Sequence, residues 1–379
     1  QERLTDMSIL PPATLGILGG GQLGRMFVTA ARTMGYEVIV LDPDENSPAG
    51  SMATEHLNSV FTDTSALDYM VEQCAVITTE FENIPVKALE YLARSKPVFP
   101  SAQSLAVAQN RIKEKTYIQS LGLKTSTFIA IESESDLVKV DGFEFPAILK
   151  TATLGYDGKG QVVCNNVSDV EKAFAEIKVV CVLEQKIDLR KEVSVVLSRD
   201  QQGETFFFPV AENDHVNGVL DVSVVPADIS NSLADKALNA AKKIADGLDY
   251  CGVLAVEFFI STSDDLLVNE MAPRPHNSGH FTLDACYSSQ FEQQVKMICG
   301  LPSGNCELHT PVAMLNLLGD IWPESGVPDW KTVMEIDKSY LHLYGKKEAR
   351  PGRKMGHINF LSNDLEIAKI NLKKIRNIL

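Results

Sequence analysis

The chain has 379 residues, 45% of them apolar, which suits two to three cored domains and excludes intrinsic disorder. Its 50 acidic and 35 basic residues leave a formal net charge of −15, which excludes nucleic acid or an anionic membrane as the main partner. An anionic small molecule in a local basic pocket stays open.

The cysteines (Cys74, Cys164, Cys181, Cys251, Cys286, Cys299 and Cys306) include no CxxC pair, and no histidine joins them at zinc-ligand spacing. They read as reduced packing residues of a cytoplasmic protein. No apolar run approaches the ~20 residues of a membrane span. The polar stretch Gln1 to Ala13 lacks the apolar core of a signal peptide, and Gln1 to Pro12 stay outside the fold reading.

Thr14 to Gly19 is an apolar run leading into glycines. Gln22 to Met34 has helical spacing, with Leu23, Met26, Phe27 and Ala30 on one side. Gly35 ends it, and Glu37 to Leu41 is a β-branched run, which completes a βαβ unit. Val60 to Phe61, Val76 to Thr79 and Val98 to Phe99 add short strands between helices. Residues 13–110 thus read as an open α/β, Rossmann-like domain.

From Arg111 the pattern turns α+β. Ala147 to Lys150 and Gln161 to Cys164 flank a second glycine-rich loop. Val179 to Leu183, Val193 to Ser198 and Thr205 to Val210 read as strands, and Leu233 to Leu248 as an amphipathic helix. Leu254 to Ile260 and Leu266 to Glu270 form a hairpin, within a domain spanning 111–300. Past Gly300, Pro302, Pro311, Pro323 and Pro328 and a basic cluster from Lys346 to Lys354 mark a small third domain, 301–379.

Three features carry chemistry. Gly19, Gly21 and Gly24 fit GxGxxG, and Asp42 ends the next strand, as in a dinucleotide fingerprint. A hydride-transfer enzyme with a nicotinamide cofactor therefore competes, as does a βα turn with no ligand. The second loop, TATLGYDGKGQ from Thr151 to Gln161, is bracketed by Lys150 and Lys159. Its glycines let backbone amides approach phosphates, although it is not a Walker A loop. The third feature is Glu257 and Glu270. A turn centred between Ser263 and Asp264 places them opposite each other, with Cβ atoms ~5 Å apart. Such carboxylates repel, and a hard divalent cation removes the conflict.

The loop GYDGKGQ, the segment EQKIDLRKEVSVV and the hairpin ending NEMAPRPHNSGH together resemble the ATP-grasp superfamily. More narrowly, GGGQLGRM, TTEFENI and GRKMGH resemble the N5-carboxyaminoimidazole ribonucleotide synthetases. The resemblance runs from about Leu15 to Phe360. The N-terminal tail falls outside it, and Leu301 to Ser339 is not diagnostic. It implies three domains, a homodimer, and ATP- and Mg²⁺-dependent carboxylation of 5-aminoimidazole ribonucleotide by bicarbonate through carboxyphosphate.

By motif, the resemblance implies nucleotide contacts from Arg111, Lys150 and the loop residues Gly155, Tyr156, Asp157, Gly158, Lys159, Gly160 and Gln161. Glu184, Gln185, Lys186 and Ile187 would hold adenine, Glu192 the ribose, and His215 would share that site. Glu257 and Glu270 would hold Mg²⁺ beside Asn269. Arg274, His276 and Asn277 would line the bicarbonate and aminoimidazole side, bordered by Tyr156 and Asp157. Asp157 and His276 are the candidates for proton acceptance. Lys346, Arg353 and Lys354 would hold the ribonucleotide phosphate, with Gly21, Gln22, Leu23 and Glu80 facing the same ligand. A formate-using transformylase of the same superfamily and a non-catalytic nucleotide sensor are the remaining alternatives.

Overall fold

The structure, a computed structural model, describes residues 8–155 and 160–379. Among these residues the strands form three sheets. In the first, β1 (Thr14–Leu18), β2 (Glu37–Leu41), β3 (Glu55–Leu57) and β4 (Val76–Thr79) run parallel in the order β3-β2-β1-β4. A parallel sheet is buried on both faces. Leu15, Ile17, Val38 and Val40 pack with the helix Gln22–Thr33. Leu18, Ile39, Leu41 and Ile77 pack with the helices Thr64–Gln73 and Val86–Ala93.

Three details depart from expectation. The helix Gln22–Thr33 buries Leu23, Phe27, Val28 and Ala31, while Met26 and Ala30 lie at the margin, because the helix Gln290–Ile298 packs against it. Val60 and Phe61 form no strand. The third strand comes earlier, and the chain then turns into a helix capped by Asp63, which accepts from the Ser65 N–H at 2.9 Å. Val98 makes only a single parallel bridge to Ile77.

The second sheet is antiparallel: β5 (Phe128–Ile131), β6 (Ala147–Thr151), β7 (Gln161–Cys164) and β8 (Cys181–Gln185), in the order β5-β8-β6-β7. Its last strand starts later than the expected Val179. Alternation sends Ala147, Leu149, Cys181 and Leu183 into a core with the helix Val167–Ile177. Lys150 and Glu184 fall on the opposite face. Lys150 stands opposite Val182, so Glu184 is its diagonal neighbour on that face.

The third sheet holds β9 (Leu189–Arg199), β10 (Thr205–Phe207), β11 (Ala211–Val216), β12 (Val219–Val225), β13 (Gly252–Ser261), β14 (Leu266–Ala272), β15 (Val312–Leu318), β16 (Ser339–Leu343) and β17 (Lys354–Leu361). The order is β14-β13-β9-β11-β12-β15-β17-β16, with β10 on β9. The strand expected to reach Val210 stops at Phe207. The segment after residue 301 builds no sheet of its own, because β15 pairs antiparallel with β12 and carries the same sheet onward. Leu254, Val256, Phe258 and Ile260 face the helix Asn231–Gly247 in a shared core, which leaves Glu257 on the other face.

The helix Gln290–Ile298 joins two of the sheets through buried amides. Gln294 accepts from the Val253 N–H of β13 at 2.6 Å and donates to the Thr78 hydroxyl of β4 at 3.0 Å. No helix among the described residues is long and apolar enough to cross a membrane.

Candidate active site

One cavity of about 480 Å³ opens where the first and third sheets meet. Beside the first sheet, the helix start supplies Gln22 and Leu23 and the segment after β4 supplies Glu80 to its wall. The third sheet contributes His215, Glu257, Glu270 and Lys354, and Arg111, Arg274, His276 and Asn277 complete it.

Glu257 and Glu270 are directly opposed, as the pairing argument requires. The route differs in one respect. Phe258 pairs with Val268 and Phe259 with Leu267, so the turn is centred on Ser263. A bulge that adds Asn269 to β14 then restores the glutamate pairing. Asn269 presents its carbonyl to Lys115 Nζ at 3.3 Å. Burial, and then the charge of Glu270, push the Glu257 carboxyl above its ordinary value. Arg111 lies 3.0 Å from Glu270 and donates to the Gly155 carbonyl at 3.0 Å.

The donor set fits a hard cation, being two carboxylates with no soft ligand. Among the described residues no three His, Cys, Asp or Glu side chains converge as a complete cage. Oxygens of a bound phosphate would have to finish the shell.

Beside this pair lies a buried charge network. Glu184 accepts from Lys150 Nζ at 3.0 Å and lies 3.3 Å from Lys115 Nζ. Burial alone would raise its pKa, but Lys150 and Lys115 outweigh burial and hold the carboxyl at about 2. Lys150 has one carboxylate against burial, Lys115 and Arg111, so its own pKa is lowered. Glu114, which accepts from the Met271 N–H at 2.6 Å, is pushed to about 8 by burial and then by Glu270.

Glu114 and Lys115 were not foreseen. They sit on the buried side of the helix Arg111–Ser120 with Ile118, and hydrophobic periodicity assigns charged positions to solvent. The signal in the sequence was Asn110, which caps this helix through the N–H groups of Ile112 and Lys113 and so sets its phase.

The first glycine loop is already occupied by the protein. Glu80 accepts from the N–H groups of Gly21 (2.7 Å) and Gly24 (2.8 Å), and Asp42 accepts from Gly20 (2.7 Å). A Cβ on Gly21 would stand 2.5 Å from Glu80 Oε1, so a larger residue there would have to displace the Glu80 carboxyl. The amides of the motif are taken by Glu80 and the acid that suggested a ribose contact is taken by Gly20, which removes the basis of the oxidoreductase alternative. Gln22 and Leu23, at the start of the helix, line the cavity. Gly21 meets Glu80 behind them.

His215 stands 2.7 Å from Glu192. Burial works against its charge, but the hydrogen bond to Glu192 and the charge of Glu257 raise its pKa. Arg274 is forked on Glu82 at 2.5 and 3.3 Å, a link between the first sheet and the loop after β14 that was not anticipated. Asn277 is buried, and among the described residues neither atom of its side-chain amide finds a partner.

Other expected residues lie elsewhere. Gln185, Lys186 and Ile187 border a separate hollow of about 460 Å³ beside the Ser261–Asp265 turn. Lys346 donates to the Lys354 carbonyl at 2.6 Å and Arg353 to the Glu348 carbonyl at 2.7 Å, so only Lys354 of the basic cluster reaches the cavity wall. Gln161 begins β7, and just before it the Gly160 carbonyl accepts from the Thr151 N–H at 2.9 Å. Tyr156, Asp157, Gly158 and Lys159 lie outside the described residues.

Comparison with known proteins accords with this arrangement. Residues 12–109 match the ribonucleotide synthetase preATP-grasp domain, 116–291 the ATP-grasp domain, and 312–370 the phosphoribosylaminoimidazole carboxylase C-terminal domain. The fold is that of an ATP-grasp ligase. The N5-carboxyaminoimidazole ribonucleotide synthase of Bacillus subtilis is 42% identical over 364 residues, 94% of each chain. A solved N5-carboxyaminoimidazole ribonucleotide synthetase in complex with ADP superposes with a TM-score of 0.92 at 44% identity, covering 97% of both chains. The Aspergillus clavatus synthase, solved with ADP and 5-aminoimidazole ribonucleotide, gives 0.87 at 28% identity, covering 97% of this chain and 98% of that one. The chain belongs to the N5-carboxyaminoimidazole ribonucleotide synthase family.

Proposed function

We propose that the chain carboxylates 5-aminoimidazole ribonucleotide to N5-carboxyaminoimidazole ribonucleotide with ATP and bicarbonate, in purine biosynthesis. The observation that carries the reading is the single cavity in which Glu257 and Glu270 face the Gln22–Leu23 helix start and Lys354. Nucleotide phosphates fit the carboxylate and Arg111 side, and a dianionic ribonucleotide fits the helix start and the lysine. Magnesium held by Glu257, Glu270 and phosphate oxygens would neutralise charge on the transferred phosphoryl group.

Lys150 and Arg111 assist the same neutralisation from fixed positions, which is electrostatic preorganisation. The loop that opens at Gly155 serves the phosphates, and the base occupies the separate hollow bordered by Gln185, Lys186 and Ile187, with Glu184 behind it holding Lys150 in place. Glu192, with His215 beside it, takes the ribose. Bicarbonate, activated as carboxyphosphate, meets the ribonucleotide amine near Arg274 and Asn277, with Asp157 as proton acceptor. A cytoplasmic homodimer accompanies this reading and is checked by light scattering on the purified chain.

The test is phosphate release from Mg-ATP and bicarbonate with and without 5-aminoimidazole ribonucleotide. Release that requires the ribonucleotide supports the reading, and release indifferent to it points to another ligase substrate, such as the formate of a transformylase. Glu270→Gln should lower ribonucleotide-dependent release at least about a hundredfold while leaving the thermal melt in place. Near-normal turnover in that variant would sink the metal assignment.

A further inference from the structure

The face of the third sheet that carries Glu257 also carries a row of small polar side chains. Ser194 on β9 pairs directly with Glu257 on β13, and Asn213 on β11 pairs directly with Ser223 on β12. All three partners of this row are buried. Their hydrogen bonds run in one sense. The Ser223 hydroxyl donates to Asn213 Oδ1 at 2.7 Å, Asn213 Nδ2 to Ser194 Oγ at 2.9 Å, and the Ser194 hydroxyl to Ser278 Oγ at 2.7 Å. Ser278 Oγ lies 2.8 Å from His276 Nδ1, and His276 Nε2 lies 3.2 Å from Glu257 Oε1.

The direction is set at one point by a group that can only donate. The backbone N–H of Ser278 reaches His276 Nδ1 at 3.2 Å, so Nδ1 is an acceptor. The ring proton then sits on Nε2, facing the carboxylate. The Ser278 hydroxyl, receiving from Ser194, has its own proton left for the same ring nitrogen. Every donor in the row therefore points its hydrogen towards Glu257.

We propose that Ser194, Ser278 and His276 are positioning residues that hold the Glu257 carboxyl in one orientation for a metal, and that His276 is a fixed donor, not the proton acceptor of the reaction. The proposal rests on the nucleotide–metal reading above. It assigns to this chain the kind of outer support that metal-ligand side chains need: a partner that fixes the carboxylate's rotation before the metal arrives. It also leaves proton acceptance to another group, because Nε2 has no lone pair to offer while it donates to Glu257.

Two measurements test it. Long-range ¹H–¹⁵N spectra of the histidine-labelled chain without ligands report the His276 tautomer, with the resonance assigned by its loss in His276→Gln. The proton is expected on Nε2, and finding it on Nδ1 overturns the relay. Mn²⁺ binding in the presence of ADP, followed by electron paramagnetic resonance, supplies the second readout. His276→Ala should weaken Mn²⁺ about tenfold and Ser194→Ala about threefold. His276→Gln, whose amide offers a donor near the Nε2 position, should recover most of the loss. Equal affinity in His276→Ala and the unaltered chain, or no recovery with glutamine, overturns the proposal. Failure of the unaltered chain to bind Mn²⁺ with ADP overturns the metal reading beneath it. The tautomer measurement stands apart from that outcome.

Discussion

Glu80 and Glu184 are both enclosed carboxylates in walls of the same catalytic region, and they are answered in different ways. Glu80 meets the backbone N–H groups of Gly21 and Gly24. Burial exceeds what those dipoles return, and its pKa is raised. Glu184 meets Lys150 and Lys115, and burial is overcome, so its carboxyl is held at about 2. Amide dipoles hold a carboxylate in place without offsetting its burial, whereas two lysines more than offset it. The first arrangement shapes a loop. The second gathers two buried lysines around one acid.

Removing the acid from the charged region should have the largest effect. Glu184→Ala leaves Lys115 and Lys150 buried without their carboxylate, and such a break costs about 3–5 kcal/mol, read from urea unfolding. Acid should reach the same weakness more gradually. A carboxyl lowered from 4.5 to about 2 adds stability above pH 4.5 that is lost as pH falls towards 2. Glu184→Gln should therefore flatten that limb of the acid titration.

In the glycine loop the effect should be smaller. Glu80→Gln replaces one acceptor oxygen by a donor facing an N–H group, costing about 1–3 kcal/mol by the same assay. If both variants cost the same, the contrast between dipoles and cations fails.

Glu114 sharpens the contrast with the opposite sign, read as a slope of stability with pH. Its pKa is raised to about 8 by burial and Glu270, so the folded chain keeps a proton that the unfolded chain releases. Stability from this group is present below about pH 4.5 and declines as pH rises through 8. Glu114→Gln can keep the acceptor for Met271 N–H and removes the titration. The ligand-free variant should therefore lose less stability than the parent between pH 5 and 8, as judged by thermal melts across that range.

Much of this was legible in the residues because it depends on period. The hairpin count paired Glu257 with Glu270, and in the folded sheet alternation sets Glu257 on the face away from Leu254 and Val256. The count succeeded with the turn centre displaced, because a bulge at Asn269 compensated, and bulges leave no mark in an alternation pattern. The partners of the first glycine loop were hidden for another reason. Glu80 lies 59 residues from Gly21, and local motif reading treats free amides as ligand sites until a distant acid is shown to fill them. Glu114, Lys115 and the Ser194–Asn213–Ser223 row escaped because buried polar residues make sense only when their partners are known. Gln293 and Gln294 follow the same rule: on a helix they look solvated, yet they bind four other segments of the chain.

The unbroken third sheet bears on how this chain could be divided. Because β15 takes up the backbone groups of β12, cutting at residue 301 would free one side of β12, where Val222 to Val225 hydrogen-bond to Leu315 to Val312. An uncovered edge of that kind invites pairing with another molecule. A fragment ending at 301 should precipitate or self-associate on expression, and should regain solubility when residues 302–379 are supplied in trans. The apparent module boundary is a seam in composition, with a shared hydrogen-bond ladder running straight across it.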